Sequence, residues 1–261
     1  MSRFIEKLER AAQGMPAPMG FAAAARRAQE DPPFVVTGTV EAASLRGADA
    51  LLDAVDALLV EMEQAAPPEG LAQALEGRLW GARPAALDGE GARALREAGA
   101  DFVVFGPEAA AADLLLVEDL AKLVAIGPEL DEDAARALND LPLDGVLYRP
   151  EAPLRPLTVG RLIELDKVRS LLDMPFVVET AEALGPGELA ALREVAVYGV
   201  ALPLADGGLL EAYRRAVSGL PRRRPRPQRE RSVAYVPQAS ASEEEWEEEE
   251  YRLRRGRRWS T

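Results

Sequence analysis

The strongest constraint on this chain is a six-residue phrase that occurs three times. Val103-Val-Phe-Gly-Pro-Glu108 returns as Val124-Ala-Ile-Gly-Pro-Glu129 and again as Val146-Leu-Tyr-Arg-Pro-Glu151, at spacings of 21 and 22 residues. Each copy is a short apolar run stopped by proline, and each gap carries a helical pattern, which together are the signature of a repeated strand–helix unit. Extending the pattern predicts eight strands, near residues 34–39, 56–62, 78–83, 101–106, 122–127, 144–149, 175–180 and 197–202. The spacing is near 22 residues except between the sixth and seventh, where residues 158–172 make a longer helix. Most of the runs are continuously apolar, as parallel strands covered on both faces require. Segments such as 89–98 and 131–141 place Asp or Glu in a first helical turn, where the dipole favours them. Eight βα units with right-handed crossovers close into a (β/α)8 TIM-type barrel, whereas a doubly wound open sheet would not favour eight such even repeats.

The barrel is expected over residues 31–218, between an N-terminal helical extension (1–30) and a charged tail (219–261). Residues 2–12 read as an amphipathic helix with Ser2 as N-cap and Phe4, Ile5, Leu8, Ala11 and Ala12 on one face, placed outside or beneath the barrel. A short helix over residues 22–29 ends at Asp31-Pro-Pro33, because a residue before proline is pushed out of the α region. The tail holds 11 Arg and 8 Glu in the order basic, acidic, basic; that is +3 within an overall charge of −13, and leaves −16 on residues 1–218. So acidic a body repels nucleic acid and anionic membrane. The tail's composition reads as disordered, with Arg252, Arg254, Arg255, Arg257 and Arg258 interleaved with Trp246 and Trp259, and available to an acidic partner or anionic surface.

Composition excludes several chemistries. The chain has no cysteine and no histidine, which removes disulfides, zinc, haem and iron–sulfur ligation, Ser-His-Asp triads and the commonest base near neutral pH. Of the three lysines, Lys122 falls at the N-terminal end of its strand and Lys167 inside a helix, so neither a lysine imine nor lysine-bound PLP is expected. No apolar run approaches the roughly eighteen residues that cross a bilayer, and the opening residues are too charged for a secretory signal, so the expected location is cytoplasmic.

In such a barrel the working face is the C-terminal ends of the strands. The residues there include Thr37, Thr39 and Glu41 after the first strand, Glu61 and Glu63 after the second, and Arg83 after the third. Glu108, Glu129, Arg149, Glu151, Glu179, Thr180 and Asp206 follow on the later strands. Glu61 and Glu179 end apolar strands, where no capping role explains them, and are the candidate catalytic acid and base; converging carboxylates could also hold Mg²⁺. Glu108, Glu129 and Glu151 share a Pro-Glu context that suits the first turn of a helix. Arg83 and Arg149 each end a strand and precede proline, and could clamp a carboxylate or phosphate or neutralise the glutamates around them. Gly207 and Gly208, with Gly185-Pro-Gly187, lie in the last two loops, where backbone N–H groups at a helix N-terminus commonly receive phosphate.

Val124-Ala-Ile-Gly-Pro-Glu129, a helix and then Asp144-Gly-Val-Leu147 resembles the phosphate-binding βαβ unit of thiamine-phosphate synthase and related barrels, and Gly99 to Pro107 resembles the strand before it, over about 50 residues. The resemblance implies phosphate binding, but the family's second glycine, an N–H donor, is replaced by Pro128, and two further strands follow. The family's catalytic residues therefore do not transfer. The whole chain, opening Met1-Ser-Arg-Phe-Ile-Glu-Lys, looks like an uncharacterised bacterial family of small (β/α)8-barrel proteins, which carries no function with it. Two functions stay open: a barrel binding, and transforming, a small anionic metabolite at its C-terminal face, or a non-catalytic scaffold acting through its charged tail. The sequence does not decide whether the chain is an enzyme, or its oligomeric state.

Overall fold

The computed structural model describes residues 2–13, 33–45, 49–204 and 207–220. Eight strands, β1 (Val35–Glu41), β2 (Ala57–Met62), β3 (Trp80–Pro84), β4 (Phe102–Phe105), β5 (Ala121–Ile126), β6 (Gly145–Tyr148), β7 (Phe176–Glu179) and β8 (Gly199–Pro203), pair in parallel in chain order. The ring closes where β1 meets β8, with Thr37 opposite Ala201. The expected helix over 22–29, Asp206 and the tail from 221 lie outside the described residues.

Each strand is buried on both sides, which is why its sequence is apolar throughout. One set of alternate residues, Val36, Leu58, Val60, Val103, Val124, Val146, Val178 and Val200, joins the layer beneath the helices. The other set, Val35, Leu59, Phe102, Val104, Leu123, Leu147, Val177 and Ala201, fills the barrel interior.

The crossovers are less regular than the repeat suggests. Four of the seven connections between strands hold full helices: α4 (Gly89–Glu97), α5 (Glu132–Asp140), α6 (Val159–Arg169) and α7 (Pro186–Glu194), with α8 (Gly207–Ser218) after β8. Among the described residues the β1–β2 link holds a 3-10 stretch, Ala42–Ser44, and a four-residue helix, α2 (Asp49–Leu52), and the β2–β3 link another four-residue helix, α3 (Leu71–Ala74). The β4–β5 link holds two short 3-10 stretches, Pro107–Ala109 and Ala112–Leu116, and no α-helix. Pro67-Pro68 lies ahead of α3 and Pro107 opens the first 3-10 stretch of the β4–β5 link, and neither segment then keeps a run long enough to nucleate a stable helix. Three of the full helices have side-chain N-caps: Asp88 accepts from the Gly91 N–H at 2.8 Å, Asp131 from Ala134 at 2.7 Å and Thr158 from Arg161 at 3.3 Å.

The first helix, α1 (Arg3–Gln13), is a plug. Its apolar stripe of Phe4, Ile5, Leu8 and Ala11 enters the N-terminal end of the barrel and joins the interior cluster, with the Phe4 ring stacked on Phe102 at 4.1 Å. Burying side chains of this size stabilises by about 1.5–3 kcal/mol each. Two inward-facing glycines make the room: a Cβ on Gly81 would lie 2.5 Å from the Phe102 ring, and one on Gly199 would lie 2.9 Å from Leu8. Asp101, just ahead of β4, fixes the start of α1 by accepting from Ser2 Oγ (2.6 Å), the Arg3 N–H (3.0 Å) and the Phe4 N–H (2.9 Å). Ser2 caps in turn, accepting from the Ile5 N–H at 3.3 Å. No helix among the described residues is long and apolar enough to cross a membrane.

Candidate functional site at the barrel mouth

With the N-terminal end plugged, the open end is the C-terminal one. Glu61 in β2, Arg83 in β3, Glu179 ending β7 and Arg149 immediately after β6 all fall on the inward phase of their strands, two residues beyond Leu59, Gly81, Val177 and Leu147. The structure brings these four side chains together. β3 and β7 stand on opposite sides of the eight-stranded ring, and Arg83 spans it: Nη1 donates to Glu179 Oε1 and Oε2 at 3.0 and 3.1 Å, and Nη2 to Oε1 at 2.9 Å. The same Nη2 is hydrogen-bonded to Glu61, its register neighbour on β2. Burial alone would lower the Arg83 pKa, but the hydrogen bonds and charges of Glu179 and Glu61 outweigh it and leave the pKa raised. Arg83 is therefore a permanent cation locked between two carboxylates.

Arg149 is placed differently. Its Nε lies 3.0 Å from Glu179 Oε2, its side chain is 60% exposed, and Nη1 and Nη2 have no partner among the described residues. Two cavities open at this face. One, of about 800 Å³, is lined by Thr39, Glu41, Glu61, Arg149, Glu151, Glu179, Thr180 and Glu182 among others. The other, of about 1700 Å³, runs past Met62, Arg83, Phe105, Ile126 and Arg149. Glu41, Glu61, Arg149, Pro150 and Glu151 line both.

Other candidates take different places. Glu108 lies in the 3-10 stretch after β4, as its proline context suggests, but Glu129 precedes the Asp131 cap and Glu151 precedes the Thr158 cap, so neither is a first-turn helix residue. Glu151 instead borders both cavities. Gly207 and Gly208 open α8, with Gly207 beside Leu51, and line neither cavity. At the start of α7 the Gly185 N–H already donates to Glu188 Oε2 at 2.8 Å, so that helix end holds its own carboxylate where a phosphate was expected. No group of three or more Asp or Glu among the described residues is placed to hold a metal ion. Glu182, absent from the sequence candidates, enters the smaller cavity because the backbone turns after Thr180, whose Oγ1 accepts from the Glu182 N–H at 3.2 Å.

No protein-family model matches the chain, and no curated sequence aligns with it. Solved structures do match in fold. The tryptophan synthase alpha chain of Legionella pneumophila subsp. pneumophila superposes with a TM-score of 0.58 at 14% identity, covering 84% of this chain and 98% of that one. A tryptophan synthase alpha-subunit variant from Pyrococcus furiosus gives 0.53 at 9% identity, over 71% and 97%. Thiamine phosphate pyrophosphorylase, also from Pyrococcus furiosus, gives 0.51 at 15% identity, over 71% and 96%. The chain is a TIM barrel. At these identities the likeness is one of architecture, and it extends to the whole fold the local resemblance between residues 99 and 147 and such barrels.

Proposed function

We propose that the chain binds a small carboxylate- or phosphate-bearing metabolite at the C-terminal mouth of its barrel, with Arg149 as the anion-binding residue. The observation that carries this reading is the open guanidinium fork of Arg149, oriented by Glu179 through Nε at the junction of two cavities. A planar fork with both Nη groups available suits bidentate capture of a carboxylate or phosphate. The smaller cavity, at about 800 Å³, has the size of an ordinary small-molecule site. Arg83 serves as the fixed beam that positions Glu179, and through it Arg149. The reading is one of binding, because Glu61 and Glu179 share a single guanidinium and nothing in their geometry divides acid from base roles.

Thermal unfolding of the full-length chain against a panel of phosphorylated and carboxylated small molecules tests the proposal, since a ligand of the native state stabilises it by linkage. At least one compound is expected to raise the Tm, and Arg149→Gln should remove that rise while leaving the unliganded Tm within a degree or two, the side chain being mostly exposed. A ligand response that survives Arg149→Gln would place the site elsewhere.

A further inference from the structure

Thr37 and Thr39 carry two hydroxyls with nothing to bond. They are successive inward-facing residues of β1; Thr37 is 2% exposed, and Oγ1 of each is buried without a hydrogen-bond partner. Buried hydroxyls in native proteins are nearly always satisfied, so two on one strand face call for a partner beyond the described residues, an ordered water or a polar group of a ligand that displaces it. Thr39 belongs to the smaller cavity, and Thr37 continues the same polar column one layer deeper.

The charge around Thr39 says what kind of partner. Glu41, Glu61, Glu151, Glu179 and Glu182 line this cavity against the single guanidinium of Arg149, and Arg83 offsets only one of the five carboxylates. A bare anion drawn to Arg149 meets net repulsion, while a bare cation leaves the Arg149 fork unused. The β1–β2 register also sets Glu41 directly opposite Glu61, a like-charged pair that destabilises a sheet unless something stands between them. Glu41 has no hydrogen bond or ion pair among the described residues. Glu41 and Glu61 at the rim of the mouth and Thr39 below them thus offer three acceptors on one side of the cavity, matching the three donors of an ammonium group.

We propose that the ligand is a small zwitterion, an amino acid or amino-phosphate, whose ammonium descends onto Thr39 between Glu41 and Glu61 while its carboxylate or phosphate lies on Arg149. The proposal rests on the anion-binding reading for one end of the ligand and adds the chemistry of the other. The test is the Tm of the full-length chain with glycine, 4-aminobutyrate, 6-aminohexanoate and O-phosphoethanolamine, against acetate, inorganic phosphate and butylamine at matched ionic strength. At least one zwitterion is expected to raise the Tm by about 5–10 °C near saturation. Acetate, phosphate and butylamine, which carry charge of one sign only, should give less than a quarter of that. Thr39→Val, which keeps the shape and removes the orphan hydroxyl, should raise the unliganded Tm and lose most of the ligand shift; Glu41→Gln should weaken the shift with little effect on the unliganded Tm. If acetate or phosphate stabilises as well as any zwitterion, or Thr39→Val responds in full, the zwitterion assignment falls and the anion reading stands. If butylamine stabilises as well, and Arg149→Gln leaves that response intact, both fall. No response to any of the seven compounds overturns the zwitterion assignment, and the wider anion panel then decides the first reading separately.

Discussion

Arg83 gives its guanidinium to two carboxylates, one on the neighbouring strand and one across the ring, and its removal would strand both. Arg83→Met is expected to lower stability by about 1–3 kcal/mol in urea unfolding, less than a fully buried pair would lose because Glu61 is 36% exposed. The triple variant Arg83→Met, Glu61→Gln, Glu179→Gln should recover most of that loss; if it does not, Arg83 acts through packing and its charge is incidental. Tyr213 supplies a pH test. Its ring is fully buried and its hydroxyl donates to the Glu182 carbonyl at 2.7 Å. Burial, only partly opposed by hydrogen bonds, pushes the phenol well above its usual range. A group whose folded pKa is raised stabilises fully below its unfolded value, about pH 10, and that contribution is lost as pH climbs toward the folded value. Tyr213→Phe should therefore cost about 0.5–1.5 kcal/mol at pH 7 and flatten the alkaline loss of stability above about pH 10, as read by equilibrium unfolding at the two pH values. Glu61, Arg83, Arg149 and Glu179 were legible as charged ends of apolar strands, because a strand alternates faces and all four fall in one phase. The Arg83–Glu179 bond, between residues 96 apart, was not, since it exists only once the ring closes. Nor could the sequence say that Thr37 and Thr39 lack partners among the described residues, which depends on a register that sets Thr37 between Ala57 and Ala201 and Thr39 between Leu59 and Pro203, none of them with a polar side chain.

Among the elements, α1 shows how far periodicity reaches. The stripe of Phe4, Ile5, Leu8 and Ala11 and the Ser2 cap were readable in advance, but a stripe does not name the surface that it meets. The inward glycines of β3 and β8 decide that by admitting Phe102 and Leu8. Asp101→Ala is expected to cost about 0.5–2 kcal/mol through loss of the cap. Leu8→Ala should cost about 2–5 kcal/mol, since it opens a cavity inside the barrel. Both are measured by urea unfolding, and a negligible effect of Leu8→Ala would mean that the plug is dispensable. The connecting segments were less legible for a related reason. Asp88, Asp131 and Thr158 mark true helix starts, whereas the apolar residues of 107–120 fit a helical pattern yet form only 3-10 stretches, because helical spacing alone does not outweigh a costly nucleus.

On the scale of the molecule, the repeat was enough to foresee a closed parallel ring, because eight evenly spaced units leave few other ways to cover both faces of a sheet. The described barrel ends at Leu220, which packs against the outer core. A chain ending there is expected to melt within a few degrees of the full-length protein, since residues 221–261 are nearly half charged and offer little apolar surface to offset the entropy of ordering. A large drop in Tm would make the tail part of the fold. The plug also sets a timetable. Phe4 takes its cap from a residue 97 positions later in the chain, and its stacking partner is Phe102. During synthesis α1 must therefore wait with its apolar stripe uncovered for ~5–20 s, until β4 has been translated. Through that interval α1 is a natural substrate for whatever shields nascent chains.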